Sequence, residues 1–305
     1  MHLNKLSYQK VKNKYLKFLK SQEILSEPFR DKIGQLNNFY LPISQMIYKN
    51  YLKNKKTQVI GLAGGQGSGK STISNILKII LKESFSLETV IFSIDDFYKT
   101  LKERKIMSKI VSPLFLTRGV PGTHDAKMLL RIIKALRNPA FKKTMIPKFN
   151  KGFDDRVSKN KWLRVNKKPN IVIFEGWCVG VEPQKKKDLL IPINALEKNN
   201  DKKNIWRNRV NQELKRDYKK VFKLLDKIIF LKVPSFNYIL KWRLLQEKKL
   251  RITSKGNKTM SDNQIKNFIM FYERLTKHML NTLTNKADSV IKIDTKHRLR
   301  SIKFN

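Results

Sequence analysis

The run Gly64-Gly65-Gln66-Gly67-Ser68-Gly69-Lys70-Ser71-Thr72 fits the pattern G-x-x-x-x-G-K-[ST] at every required position. Glycines at these places let backbone N–H groups turn inward around phosphate oxygens, and a helix starting at the lysine presents its positive N-terminal end to the same anion. Lys70 would reach the β- and γ-phosphates of a nucleoside triphosphate, and the Ser71 hydroxyl would ligate Mg²⁺. Such a cradle implies triphosphate binding and leaves the reaction open, because pumps, switches and group-transfer enzymes share it.

Carboxylates stand at two further places, in Ser93-Ile94-Asp95-Asp96-Phe97-Tyr98 and in Phe174-Glu175-Gly176-Trp177. Each follows a short apolar run. Strand C-termini of an open parallel sheet converge on the ligand crevice, so Asp95 and Glu175 are expected beside Lys70. One would accept the proton of an attacking hydroxyl and the other would hold Mg²⁺, directly or through water, and the residue types leave open which does which. Clustered carboxylates repel unless Mg²⁺ and Lys70 neutralise them, which ties their ionisation to the nucleotide. Asp96 reads equally well as the cap of the segment that follows.

The elements that must position these groups are visible as periodicity. Five β-branched, nearly continuous apolar runs begin at Val59, Val90, Ile171, Ile228 and Val290, with helical stretches between them. Strands of that kind belong to a parallel sheet covered on both faces. After the phosphate loop, Ile73, Ile76, Leu77 and Ile80 share one helical face, so the loop lies between a strand and a helix. The expectation is an α/β fold, a three-layer P-loop NTPase sandwich with a five-stranded parallel sheet. Residues 1–56 predict an N-terminal helical extension packed on the core, with Leu3, Leu6, Leu16 and Leu19 as one apolar set and Phe39, Tyr40, Leu41, Ile43 and Ile47 as another. Within the remainder, 57–305, the stretches about 102–168 and 234–287 exceed what simple crossovers need, and long insertions carry substrate sites and lids. The polar stretch Glu197–Asn204 is expected to be a solvated loop.

The chain has 305 residues and a formal charge of +42, which raises nucleic-acid or anionic-membrane binding as functions. Of its 66 cations, however, only 15 are Arg and 51 are Lys, spread over the whole length with 25 Asn and only 6 Ala. Lys is the poorer bidentate reader of phosphates and bases, and Lys and Asn share A/T-rich codons, so compositional bias accounts for the excess. No specific nucleic-acid module is visible. No apolar run of 18 residues occurs, which argues against a spanning helix. A single cysteine, Cys178, suits a reducing compartment, and the first 20 residues have neither the apolar block of a signal peptide nor the arginines of a presequence, so a cytoplasmic protein is expected. Oligomeric state is not legible.

Read together, the motifs resemble a known family. Ile94-Asp95-Asp96-Phe97-Tyr98 after the phosphate loop is similar to the P-loop kinases of the uridine kinase, phosphoribulokinase and pantothenate kinase group. Arg118-Gly119-Val120-Pro121-Gly122-Thr123-His124-Asp125, Glu175-Gly176-Trp177 and Trp242-Arg243-Leu244-Leu245-Gln246-Glu247 resemble, more narrowly, the D-glycerate 3-kinase type. The resemblance runs from about Pro28 to about Asp294. It implies transfer of the ATP γ-phosphoryl group to the 3-hydroxyl of D-glycerate, with Mg²⁺, and it places Asp95 at the position of the base. Arg118 and His124 are then candidates for the substrate carboxylate, which suits the planar fork of Arg. His124 reads equally as a structural hydrogen bond, and Asp125 equally as the cap of a helix over Ala126–Leu136. In Pro147–Arg156, Lys151 and Arg156 are acceptor-binding candidates against a reading as solvated loop charges. Arg243 either pairs with Glu247 at i,i+4 or closes as a lid, about 234–258, on the phosphates.

Overall fold

The computed structural model describes residues 5–23, 29–253 and 260–305. Leu3, Pro28 and the part of the expected lid at 254–258 lie outside the described residues. The central sheet has six strands: β1 (Gln58–Gly64), β2 (Thr89–Ser93), β3 (Ile171–Gly176), β4 (Lys227–Lys232), β5 (Ser289–Ile293) and β6 (Leu299–Phe304). Their spatial order is β6-β5-β4-β1-β3-β2. The first five are parallel, and β6 pairs antiparallel with β5 as an edge that the five-strand reading lacked. It was hidden because Leu299-Arg300-Ser301-Ile302-Lys303-Phe304 alternates with charged residues, and most of its side chains are exposed. An edge strand solvated on one face reads as a polar tail.

β1 and β3 are buried at every residue, as strands in the middle of a covered sheet must be. One layer of core gathers Val59, Ala63, Phe92, Phe174 and Phe230 against the helix Ala126–Arg137 and the long helix Asp262–Lys286. The opposite layer holds Ile60, Leu62, Ile173, Ile229 and Leu231 against the helix Lys70–Phe85. The N-terminal helix Lys5–Gln22 adds Val11, Tyr15 and Leu19 to this second layer. Those residues recur every four positions and make the buried face, whereas Leu6 of the expected apolar set is exposed. Phe39, Tyr40, Ile43 and Ile47 are buried as expected, on a helical run that passes through one π turn at Leu36–Tyr40.

The stretch expected as a solvated loop is a correction. Ala195–Asn200 is helical, and Glu197 and Asp201 are buried. Arg274 binds both oxygens of Glu197 at 2.7 and 2.6 Å, while Arg207 donates to Asp201 at 2.9 Å. Sequence polarity misled here because each buried carboxylate meets its arginine only in three dimensions. Among the described residues no helix is long and apolar enough to cross a membrane.

Candidate active site

β1 delivers the chain into the phosphate loop, and the helix beginning at Lys70 leaves it. Gly69 caps that helix with φ +84°, a conformation that L side chains resist, so glycine is required where the loop turns into the helix. The Lys70 Nζ donates to the loop's own carbonyls at Gly64, 3.0 Å, and Gly65, 2.9 Å. Burial lowers the Lys70 pKa, opposed by the charges of Glu175 and Asp95. From the end of β3, Glu175 accepts the Ser71 hydroxyl at 2.7 Å through Oε1. Burial raises its pKa against the pull of Lys70 and of this hydrogen bond.

Ser71 and Glu175 thus bring two oxygen donors together at the foot of the cradle. Among the described residues no cluster of three or more His, Cys, Asp or Glu could hold a metal by itself. A pair of donors fits Mg²⁺, which keeps several waters and binds through one or two protein groups plus substrate phosphates.

Asp95 and Asp96 follow β2 on a 3₁₀ turn, Ile94–Phe97, and point to different tasks. Asp96 closes a capping box with Ser93 and holds Lys148 at 3.1 and 3.2 Å, so the cap reading describes it. Asp95 accepts the Tyr98 hydroxyl at 2.9 Å and the Lys151 ammonium at 2.7 Å. Burial would raise its pKa, but Lys151, with smaller help from the Tyr98 hydroxyl, overcomes this and lowers it to about 2. It is therefore a carboxylate at neutral pH.

The segment Arg118–Asp125 passes beside it. At Gly119 the backbone has φ +146°, and a Cβ there would lie 2.3 Å from the Tyr272 hydroxyl oxygen. That hydroxyl donates to the Arg118 carbonyl at 3.2 Å, and Trp177 Nε1 donates to the Gly119 carbonyl at 3.0 Å. Trp177, in the Glu-Gly-Trp motif, is thus one of the posts that hold the Arg-Gly-Val-Pro-Gly loop. Asp125 caps the helix Ala126–Arg137 by accepting the Met128 N–H at 2.9 Å. His124 is buried, stacks on Tyr98 with ring centroids 4.4 Å apart, and shares a 2.6 Å hydrogen bond from Nδ1 with Tyr218. Burial drives its pKa down to about 3, with Lys99 assisting and Asp95 opposing, so the ring is neutral.

The polar loop after Pro147 folds back over Asp95. The Arg118 guanidinium pairs with Asp154, lies 5.6 Å from the Phe149 ring centroid and reaches the Lys151 carbonyl at 3.4 Å. Arg156 donates to the Tyr98 carbonyl at 2.9 Å and lies 4.0 Å from Asp125, as a tie within the site wall. Lys151 alone of this set reaches Asp95 with its ammonium. Arg104 was missed from the sequence because one arginine in so basic a chain carries no signal. It is fully buried and donates to the carbonyls of Lys99, Leu116 and Asp154, fastening the loop to the helix Leu101–Ile110.

Arg243 lies on the helix Phe236–Thr253 and pairs with Glu247 at 2.7 Å. Its neighbour Trp242 passes the phosphate loop, where a Cβ on Gly67 would stand 3.2 Å from the Trp242 Cβ. The helix therefore flanks the cradle, and Arg243 is held by its i,i+4 partner.

Comparison with known proteins agrees with this geometry. Residues 59–239 match the phosphoribulokinase/uridine kinase family. A kinase of Schizosaccharomyces pombe described as uncharacterized, mug58, is 34% identical over 237 residues, 75% of this chain and 83% of that protein. The chloroplastic D-glycerate 3-kinase of Arabidopsis thaliana is 28% identical over 76% of this chain, and the match spans 49% of that longer protein. The solved D-glycerate 3-kinase of Cryptococcus neoformans superposes with a TM-score of 0.73 at 21% identity, covering 87% of this chain and 99% of that one, which shows a shared fold. The chain belongs to the phosphoribulokinase/uridine kinase family of P-loop kinases.

Proposed function

We propose that the protein transfers the γ-phosphoryl group of ATP to the 3-hydroxyl of D-glycerate, giving 3-phosphoglycerate and ADP. The observation that carries this reading is the meeting of Asp95, the Arg118–Asp125 loop and Lys151 beside the phosphate cradle, which puts a carboxylate and cations where a small hydroxy acid would bind. The likeness to proteins described as D-glycerate 3-kinases supports the substrate class.

In this reading the loop amides and Lys70 bind the triphosphate, and Lys70 leaves its loop carbonyls to do so. Mg²⁺, when bound, supplies neutralisation of the developing charge, and Ser71 and Glu175 are the residues that would hold it. Asp95 accepts the proton of the attacking hydroxyl while the phosphoryl group passes to that oxygen. Phosphoryl transfer depends mainly on alignment and charge stabilisation, so a carboxylate of low basicity suffices. Lys151 turns from Asp95 to the substrate carboxylate, with Arg118 beside it, which frees Asp95 and raises its pKa. His124 lies on the acceptor side, while Asp125 and Arg156 shape its wall. Residues 102–168 then form the acceptor-binding insertion, residues 1–56 a supporting extension, and 234–258 the lid from which Arg243 closes on the phosphates.

The test is ADP release with D-glycerate against ATP alone. Activity only with uridine or pantothenate would reject the acceptor and keep the kinase.

A further inference from the structure

Tyr218 ends a π turn, Leu214–Tyr218, in a segment that none of the sequence motifs touches, yet its buried hydroxyl reaches the acceptor side of the site. Wide turns of this kind re-aim a side chain out of helical register and recur at functional sites. The hydroxyl oxygen accepts the Gly122 N–H at 3.1 Å and lies 2.6 Å from His124 Nδ1. With one N–H already received, the arrangement that uses the tyrosyl proton has O–H donating to Nδ1. A neutral imidazole that accepts at Nδ1 must carry its hydrogen on Nε2. His124 Nε2 is buried and has no hydrogen-bond partner among the protein atoms. The ring stacks on Tyr98, whose hydroxyl donates to Asp95, so the orphan donor belongs to the cluster around the expected base. A buried donor left without a partner is costly and is retained where something else completes it.

We propose that Tyr218 is a positioning residue that fixes His124 in the Nε2–H tautomer, so that Nε2–H donates to an oxygen of the acceptor substrate. The inference rests on the D-glycerate reading for the identity of that oxygen. Because burial keeps the imidazole neutral, the donor is the same throughout the pH range of an ordinary assay. The group thus orients the hydroxy acid by hydrogen bonding and adds no charge beside Asp95, where a cation would compete with Lys151.

The chain has 4 histidines, so ¹⁵N-labelled imidazoles can be assigned by comparing the full-length protein with His124→Gln. We expect His124 to show a protonated Nε2 and an unprotonated Nδ1, and the Nε2–H signal to shift when D-glycerate is added without ATP. In Tyr218→Phe the tautomer preference should relax and the KM for D-glycerate rise about tenfold with little change in the KM for ATP. His124→Gln, which retains an N–H near the Nε2 position, should recover more acceptor affinity than His124→Phe. ADP release with D-glycerate, but an Nδ1–H tautomer or an Nε2–H signal indifferent to D-glycerate, would overturn this inference alone. Absence of ADP release with D-glycerate would overturn the substrate reading and the inference with it. The signals are read on the unmodified protein, so misfolding of a variant does not remove the test.

Discussion

Lys151 Nζ lies 2.7 Å from Asp95 Oδ2, so the cation of the polar loop and the expected base of the reaction hold each other before substrate arrives. The pair sets the ionisation of Asp95 and gives the loop a reason to lie over the crevice. Release of Lys151 to a substrate carboxylate would couple acceptor binding to liberation of the base.

Replacing Lys151 by Met should therefore move the acidic limb of kcat/KM upward in pH. Lys151 is the largest of the influences that bring Asp95 down to about 2, and its removal leaves burial, which raises the pKa, less opposed. Activity present above the Asp95 pKa would then be lost earlier as pH falls. kcat/KM reports groups of the free enzyme, so its pH profile is the measurement, and an unmoved limb would assign that limb to another group.

Asp95→Asn should lower turnover about 10²-fold or more while nucleotide affinity stays within a few-fold, as expected when a proton acceptor is lost. Lys70→Ala should abolish turnover, since in the proposed reaction Lys70 leaves its loop carbonyls to bind the phosphates themselves. Nucleotide titration alongside initial rates separates the two, and unchanged turnover in Asp95→Asn would remove it from the role of base.

Acid should weaken the fold through His124. Its pKa falls from 6.5 to about 3 on burial, so between those values the unfolded chain binds a proton that the native state refuses. Stability is lost as pH drops through that window, by about 1–2 kcal/mol between pH 6.5 and 5. Urea midpoints across this range should show a shallower dependence in His124→Gln, and an identical slope would place the proton uptake elsewhere.

Arg274→Met should destabilise the fold by about 3–5 kcal/mol, because it strands the buried Glu197 carboxylate. Combining it with Glu197→Gln should restore part of the loss. Thermal melts of the single and double variants decide this, and strict additivity would mean the pair is not coupled.

The motif-bearing parts of the molecule were legible because local chemistry dictates them. Gly69 requires its φ, the apolar runs require cover, and Ser71 with Glu175 follows from where strands end. Long-range partners were not. Glu197 looked solvated until Arg274 met it from 77 residues away, and Arg104 gave no sign among so many cations. Tyr218 was silent for the same reason, since its contact with His124 spans 94 residues and a π turn. The charge of +42 is also read differently under the proposed function: the cations that would matter are Lys70, Arg118, Lys151 and Arg243, and their ligands would be small anions rather than a polymer.

The most direct measurement is identification of the products formed from ATP, Mg²⁺ and D-glycerate. The account predicts ADP and 3-phosphoglycerate in equal amounts. ADP release no greater than with ATP alone, or phosphate found on the 2-hydroxyl, would contradict it.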